Sequence, residues 1–429
     1  MGYASGVILL RAAGLWLLVS LSSGCGPAGP VRAALYEDLP SLRLQIQQAE
    51  RAGKLDRARV TELAKAVASR EVASATGASG VRHVRALLGC AHPMLSALRK
   101  RAEIHDDPGA EAMLALLSVR DAQPGALVER YASEPDPAWR AVAARAALDK
   151  RDALARRAWF VDADERVRRG ALEAALFAPE PSDLPVLLES FRLDPDPLSR
   201  SLAARAAGAI GGEAAVLGLK DRYARADEEG RLTLIEAWSM PAAYASGGAR
   251  ELRIVAESGE GLLAIAAADA LLRAGDADGA LVGLLVTALD HGTEDERRLA
   301  VRLAPTSDAR VLAALDRARN DSNPEVRVIV LARLLGVKAR VAEASKALRE
   351  MAARKDGTAD EARAALAAFG DRSVVSSLVE QSQKGEPWQR GRSAVALYRL
   401  GETAPAAKVL ADADPGVRIS VSCGILAAR

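Results

Sequence analysis

Small and aliphatic residues alternate with polar turns along most of this chain, and the period of that alternation predicts its architecture. One type of segment is a helix such as Ala143-Ala144-Arg145-Ala146-Ala147-Leu148, apolar along one face. The other is a longer aliphatic helix, as in residues 280–289 and 374–379. Between them lies a tight turn that carries an acid or asparagine, often a proline, and an arginine four residues on. The phrase reads Asp136-Pro137 to Arg140, Asp164 to Arg168, Asp196-Pro197 to Arg200 and Glu294 to Arg298. It returns as Asn323-Pro324 to Arg327, Glu386-Pro387 to Arg390 and Asp414-Pro415 to Arg418. The capping side chain accepts from a free N–H of the helix that follows, and proline takes the first helical position, where no donor is needed. Glycine followed by an acid ends many units: Gly275-Asp276, Gly370-Asp371 and Gly401-Glu402. Many of the arginines recur at roughly 27–36 residues, the signature of a repeat array. The predicted fold is therefore all-α: a right-handed α-solenoid of stacked helix pairs.

The array is assigned to residues 106–429, with a break at 239–260, where Pro241, Gly247 and Gly248 interrupt the pattern and predict a long loop or a hinge. Residues 35–105 are helical without the repeat and read as an N-terminal cap. Its first helix is expected to stop at Gly53, its second to start at Asp56, and its third to bend near Pro93. At the far end, no polar capping helix follows Asp414. One helix of that last unit is therefore expected to leave apolar chains unburied, as a docking place for a partner or a second copy of the chain. The alternative is that Ile419, Val421 and Ile425 all face inward.

Val326-Arg327 with the run to Leu335-Gly336, and Val167-Arg168-Arg169-Gly170-Ala171-Leu172, resemble HEAT repeats of the short, phycobilin-lyase-like kind. The resemblance implies a HEAT-like superhelix of about nine or ten copies, several degenerate. It implies a curved surface that binds proteins.

Composition narrows the picture. Half of the residues are apolar but only 3% are aromatic, so alanine, leucine and valine must form the core, which suits closely packed helices. The 58 basic and 56 acidic residues balance, without the basic excess of a nucleic-acid binder. The first 24 residues hold Arg11 and then the run from Ala12 to Leu21, ending in Ser22-Ser23-Gly24 before Cys25. This resembles a bacterial lipoprotein signal peptide (residues 1–24), with Ser22 where leucine is usual. The resemblance implies a lipid on Cys25 as the mature N-terminus, residues 25–34 as a flexible tether, and Gly26 favouring the outer membrane facing the periplasm. An uncleaved anchor is the alternative, although the run after Arg11 is shorter than the roughly 20 residues a spanning helix needs. Cys90 and Cys423 lie many repeats apart, and stacking along a line would separate them by tens of ångströms, so both are expected as buried free thiols.

Catalytic chemistry is not indicated. His83, His92, His105 and His291 are scattered, and no metal-ligand spacing, nucleophile elbow or phosphate-binding glycine motif occurs, so no catalytic residue, cofactor or metal is expected. The repeated acid-to-arginine pair reads as a structural ladder, in which arginine reaches its own capping acid or that of the adjacent repeat. Trp159-Phe160 among Lys150, Arg151, Arg156, Arg157, Arg166, Arg168 and Arg169 is the one echo of a nucleic-acid face. Trp139 stands where valine precedes the arginine in other copies and is expected in the core. The sequence supports a non-enzymatic, lipid-anchored scaffold for a protein partner, with no nucleic acid. The alternative is a cytoplasmic HEAT-like enzyme, a DNA glycosylase or a chromophore lyase.

Overall fold

The computed structural model describes residues 29–149, 152–258, 261–276, 278–354 and 356–428. Five helices come first: α1 (Pro30–Tyr36), α2 (Leu39–Arg51), α3 (Arg57–Ala73), α4 (Gly77–Ala86) and α5 (Leu95–Ala102). The array begins with α6 (Asp107–Ser118), α7 (Pro124–Tyr131), α8 (Pro137–Ala146), α9 (Ala153–Trp159) and α10 (Glu165–Phe177). It continues through α11 (Leu184–Leu193), α12 (Pro197–Ile210), α13 (Gly212–Tyr223), α14 (Glu228–Trp238), α15 (Pro241–Ala243) and α16 (Ala249–Ser258). Then come α17 (Gly261–Arg273), α18 (Gly279–His291), α19 (Glu294–Leu303), α20 (Ala309–Ala318), α21 (Pro324–Leu334) and α22 (Val341–Ala352). The last are α23 (Gly357–Phe369), α24 (Val375–Lys384), α25 (Pro387–Arg399), α26 (Thr403–Val409) and α27 (Pro415–Ala427). Among the described residues there is no strand, and no helix is long and apolar enough to cross a membrane.

Local signals set the helix ends. Asp136, Asp164, Asp196, Asn323 and Asp414 each accept from a backbone N–H of the following turn, at 2.7–2.9 Å for the shortest bond of each. Gly275, Gly370 and Gly401 adopt φ of 92°, 90° and 86°, a conformation that side-chain-bearing residues disfavour. In the cap, Gly53 also has positive φ, Asp56 caps α3, and two 3₁₀ turns around Pro93 separate α4 from α5.

Helices α6, α8, α10, α12, α14, α17, α19, α21, α23, α25 and α27 pack each on the next as a continuous row, whereas the intervening helices meet one another in fewer places. The row thus lies on the inside of a curve. It does not end at α27. That helix packs along α3 and touches α4, and α4 packs on α6, so the circuit closes. Residues of α1–α5 and of the C-terminal half share one hydrophobic core, from Val31 to Leu426. A second core runs from Ala110 to Leu281.

Four expectations are corrected. The chain joins the folded body earlier than a tether through residue 34 allows: Ala33 and Ala34 in α1 are fully buried. Residues 239–258 form no long loop but α15, a π turn around Gly247 (φ 117°) and α16, and the second core runs through them by way of Trp238, Ala243 and Leu252. Ile419, Val421 and Ile425 are no more than 1% exposed, because the N-terminal helices cover the last unit. The ground for docking a second copy there is thus removed. Finally, Cys90 and Cys423 are joined in a disulfide with Cα atoms 5.4 Å apart, across 333 residues. Linear stacking was the wrong premise, since curvature adds up around the array until its ends meet.

Candidate binding surface

The arginine ladder sets the inner row in register. Nη1 of Arg140, Arg168 and Arg418 donates to two carbonyls of the turn just before its own helix, as in Arg168 to Asp162 O (2.9 Å) and Ala163 O (3.1 Å). The Nε/Nη2 edge grips the next unit. Arg140 holds Asp162, Arg168 holds Asp194, Arg297 holds Asp321 and Arg390 holds Asp412, all at 2.7–3.2 Å. These acids are not the capping residues. Each stands two positions earlier and also accepts from the N–H of the cap, as Asp412 does from Asp414 N at 2.9 Å. The ladder residue after Thr293 is Arg297, whereas Arg298 pairs with Glu294, Asp295 and Glu325.

The last rung explains the closure. Nε of Arg418 meets Glu71 of α3 at 2.7 Å, both residues more than nine-tenths buried. Around it, Thr61 and Tyr398 share a hydroxyl hydrogen bond of 2.7 Å, Arg43 donates to Ala411 O at 2.9 Å, and Lys408 meets Glu50 at 2.7 Å. The cap thus supplies an apolar face and the acid for Arg418, as the next unit does for Arg140, Arg168, Arg297 and Arg390.

Removing one rung should be costly because its acid is half enclosed. Arg390→Ala is expected to destabilise by about 2–3 kcal/mol in a denaturant titration, since Asp412 keeps only the N–H of Asp414 and Gly385 O loses its side-chain donor. Arg192→Ala, whose partner Glu189 is also exposed, should change stability by less than about 1 kcal/mol. Arg327 is a weaker probe than Arg390, because it binds only carbonyls of its own turn, Asp321 O and Ser322 O.

Hydrogen bonding also fixes the acid dependence. The guanidinium of Arg169 holds the Asp196 carboxyl far below the usual range, against the opposing effect of burial. Burial raises the carboxyls of Asp162, Asp321 and Asp412, but donation from arginine and from the cap N–H outweighs it, and all three are lowered. A carboxyl lowered on folding contributes stability above its unfolded pKa, about 4, and loses it as pH falls through the folded value. The melting temperature should therefore fall steadily below about pH 4, and less steeply in Asp412→Asn; equal slopes would contradict the ladder.

Helices α4, α6, α8, α10 and α12 together line one groove of about 290 Å³. Arg166 of α10 reaches Asp107 of α6 at 3.5 Å, across the intervening α8. Leu88, Leu114 and Leu198 give the groove an apolar lining, and Leu198 is 51% exposed. Its charges are locked in pairs: Arg85 with Glu111 (3.0 Å twice), Arg145 with Glu173 (2.7 Å) and Arg169 with Asp196 (2.7 Å). The sequence reading did not single out this groove. Its leucines look ordinary along the chain, and only the fold brings them together.

Cys25, Lys150 and Arg151 lie outside the described residues. Trp159 and Phe160 are buried. Arg156 and Arg157 bind Asp183, Arg166 binds Asp164, Arg168 binds Asp194 and Arg169 binds Asp196. Trp139 is in the core, stacked on His105 with centroids 4.5 Å apart. Among the described residues no three His, Cys, Asp or Glu side chains are grouped to hold a metal ion. Compared with the models of known protein families and with curated proteins, the chain matches none.

Proposed function

We propose that this protein is a lipid-anchored scaffold of the bacterial cell envelope, built as a right-handed solenoid of HEAT-like helix pairs. It is held through Cys25, in the outer membrane facing the periplasm, and offers its concave face to a protein partner. The observation that carries this reading is the groove across α4–α12. Its apolar lining can bury side chains of a partner, while its ion pairs are already satisfied and leave orientation to the rim. The Cys90–Cys423 disulfide supports export, since such bonds persist in oxidising compartments. The competing nucleic-acid reading draws on the aromatic and basic stretch at 150–169, whose aromatics are buried and whose described arginines are paired with acids.

A photo-cross-linking amino acid at Leu114, in cells, should give one discrete protein adduct that is lost in Leu198→Arg. Cys25→Ser should release the chain from the membrane fraction. Absence of an adduct from both Leu114 and Leu198, with the protein folded, would contradict the groove as the binding face. Membrane retention of the serine variant would contradict the anchor.

A further inference from the structure

Two seams of the ladder are inverted in charge. Where Asp162, Asp194, Asp321 and Asp412 stand two residues before their caps, Arg354 stands two residues before the cap Asp356 and Arg225 two residues before the cap Asp227. Arg200, the ladder residue facing the Arg225 seam, keeps the usual anchorage, with Nη1 on Asp194 O (3.0 Å) and Pro195 O (3.3 Å). Its Nε/Nη2 edge is thus held as in the other rungs, but among the described residues no carboxylate meets it. At this seam lies a cavity of about 280 Å³ lined by Arg192, Arg200, Arg222 and Arg225. Nε of Arg222, in the same lining, is buried without a hydrogen-bond acceptor. The carboxylates in the lining do not fill the gap: Asp227 is occupied as the cap of α14, accepting from Gly230 N at 2.9 Å, and Glu229 makes no ion pair. Arg192 is held by Glu189, while Asp221 is shared by Arg222 and Arg225.

We propose that this cavity is a binding site for a small oxyanion, phosphate or carboxylate, which takes the place that aspartate fills beside Arg140, Arg168, Arg297 and Arg390. Two oxygens on one centre match the Nε/Nη2 edge of Arg200, and Arg225 and Arg222 supply the neutralising charge. The occupied anion completes the seam between α12 and α14, so the ligand stabilises the array while it binds. The proposal is independent of the concave groove and of the lipid anchor.

The test is thermal unfolding and calorimetric titration of the full chain with inorganic phosphate and, separately, succinate, each against chloride at equal ionic strength. Phosphate or succinate should raise the melting temperature by about 2 °C or more at saturation; whichever does so identifies the oxyanion. Arg225→Asp rebuilds the rung from within, so it should melt higher than the unliganded parent and lose the response to both anions. Arg222→Gln should weaken binding about tenfold. A parent that responds to neither anion beyond chloride, or an Arg225→Asp variant that responds as the parent does, would overturn the site.

Discussion

Replacing Cys90 and Cys423 together with serine should lower stability by about 3–5 kcal/mol, one of the two largest losses expected for this chain. The bridge closes a loop of several hundred residues, and a longer loop removes more freedom from the unfolded chain. The loss should also be local. In an open array a terminal unit has one neighbour instead of two, so α27 and the helices α1–α4 would open before the middle does. Hydrogen exchange should therefore rise in these helices and stay unchanged in α10–α12. Adding Glu71→Ala to the serine pair should widen the opening, because Arg418 would keep only the carbonyls of Asp412 and Ala413. Uniform exchange across the whole chain would contradict a closed circuit.

The second large effect is expected inside the array. Arg156 and Asp183 are both fully buried, with Nη2 to Oδ2 at 2.6 Å and Nε to Oδ2 at 3.0 Å, and Nη1 of Arg156 also reaches Ala147 O at 3.1 Å. The pair ties α9 to the 3₁₀ turn before α11. Arg156→Met should cost about 3–5 kcal/mol, because it leaves the carboxylate buried with only the half-exposed Arg157 at 3.2 Å. Asp183→Leu should be similarly damaging, since an arginine cannot lose its charge. The double variant Arg156→Met/Asp183→Leu should recover most of the loss. Burial of two charges is expensive, and apolar side chains of similar volume fill the place nearly as well. Additive losses in the two single variants, with no recovery, would show that packing rather than charge dominates there.

How much of this was legible along the chain depended on range. Caps and stops were, because Asp136, Asn323, Asp414, Gly370 and Gly401 act within a turn of their own position. The ladder was half legible. Its arginines stood out, but their partners were assigned to the capping acids, although Asp162/Asp164, Asp194/Asp196 and Asp412/Asp414 show a two-residue spacing in the sequence. The earlier acid of each pair is the one that the preceding arginine takes. Closure was not legible. No local pattern in Glu71 or Cys90 points to Arg418 or Cys423, and the angle between units that makes them meet is a sum over small packing differences. The groove was hidden for the same reason, since its lining comes from five helices spread between Val81 and Leu198. The inverted seam at Arg225 is written in the sequence two positions before the cap Asp227, not at the cap itself.

The closed circuit is tested most directly by peptide mapping of the protein taken from its native cells, alkylated before lysis and digested without reduction. The account predicts a disulfide-linked pair of tryptic peptides, one carrying Cys90 and the other beginning at Ile419 and carrying Cys423. Both cysteines recovered as alkylated free thiols would contradict it.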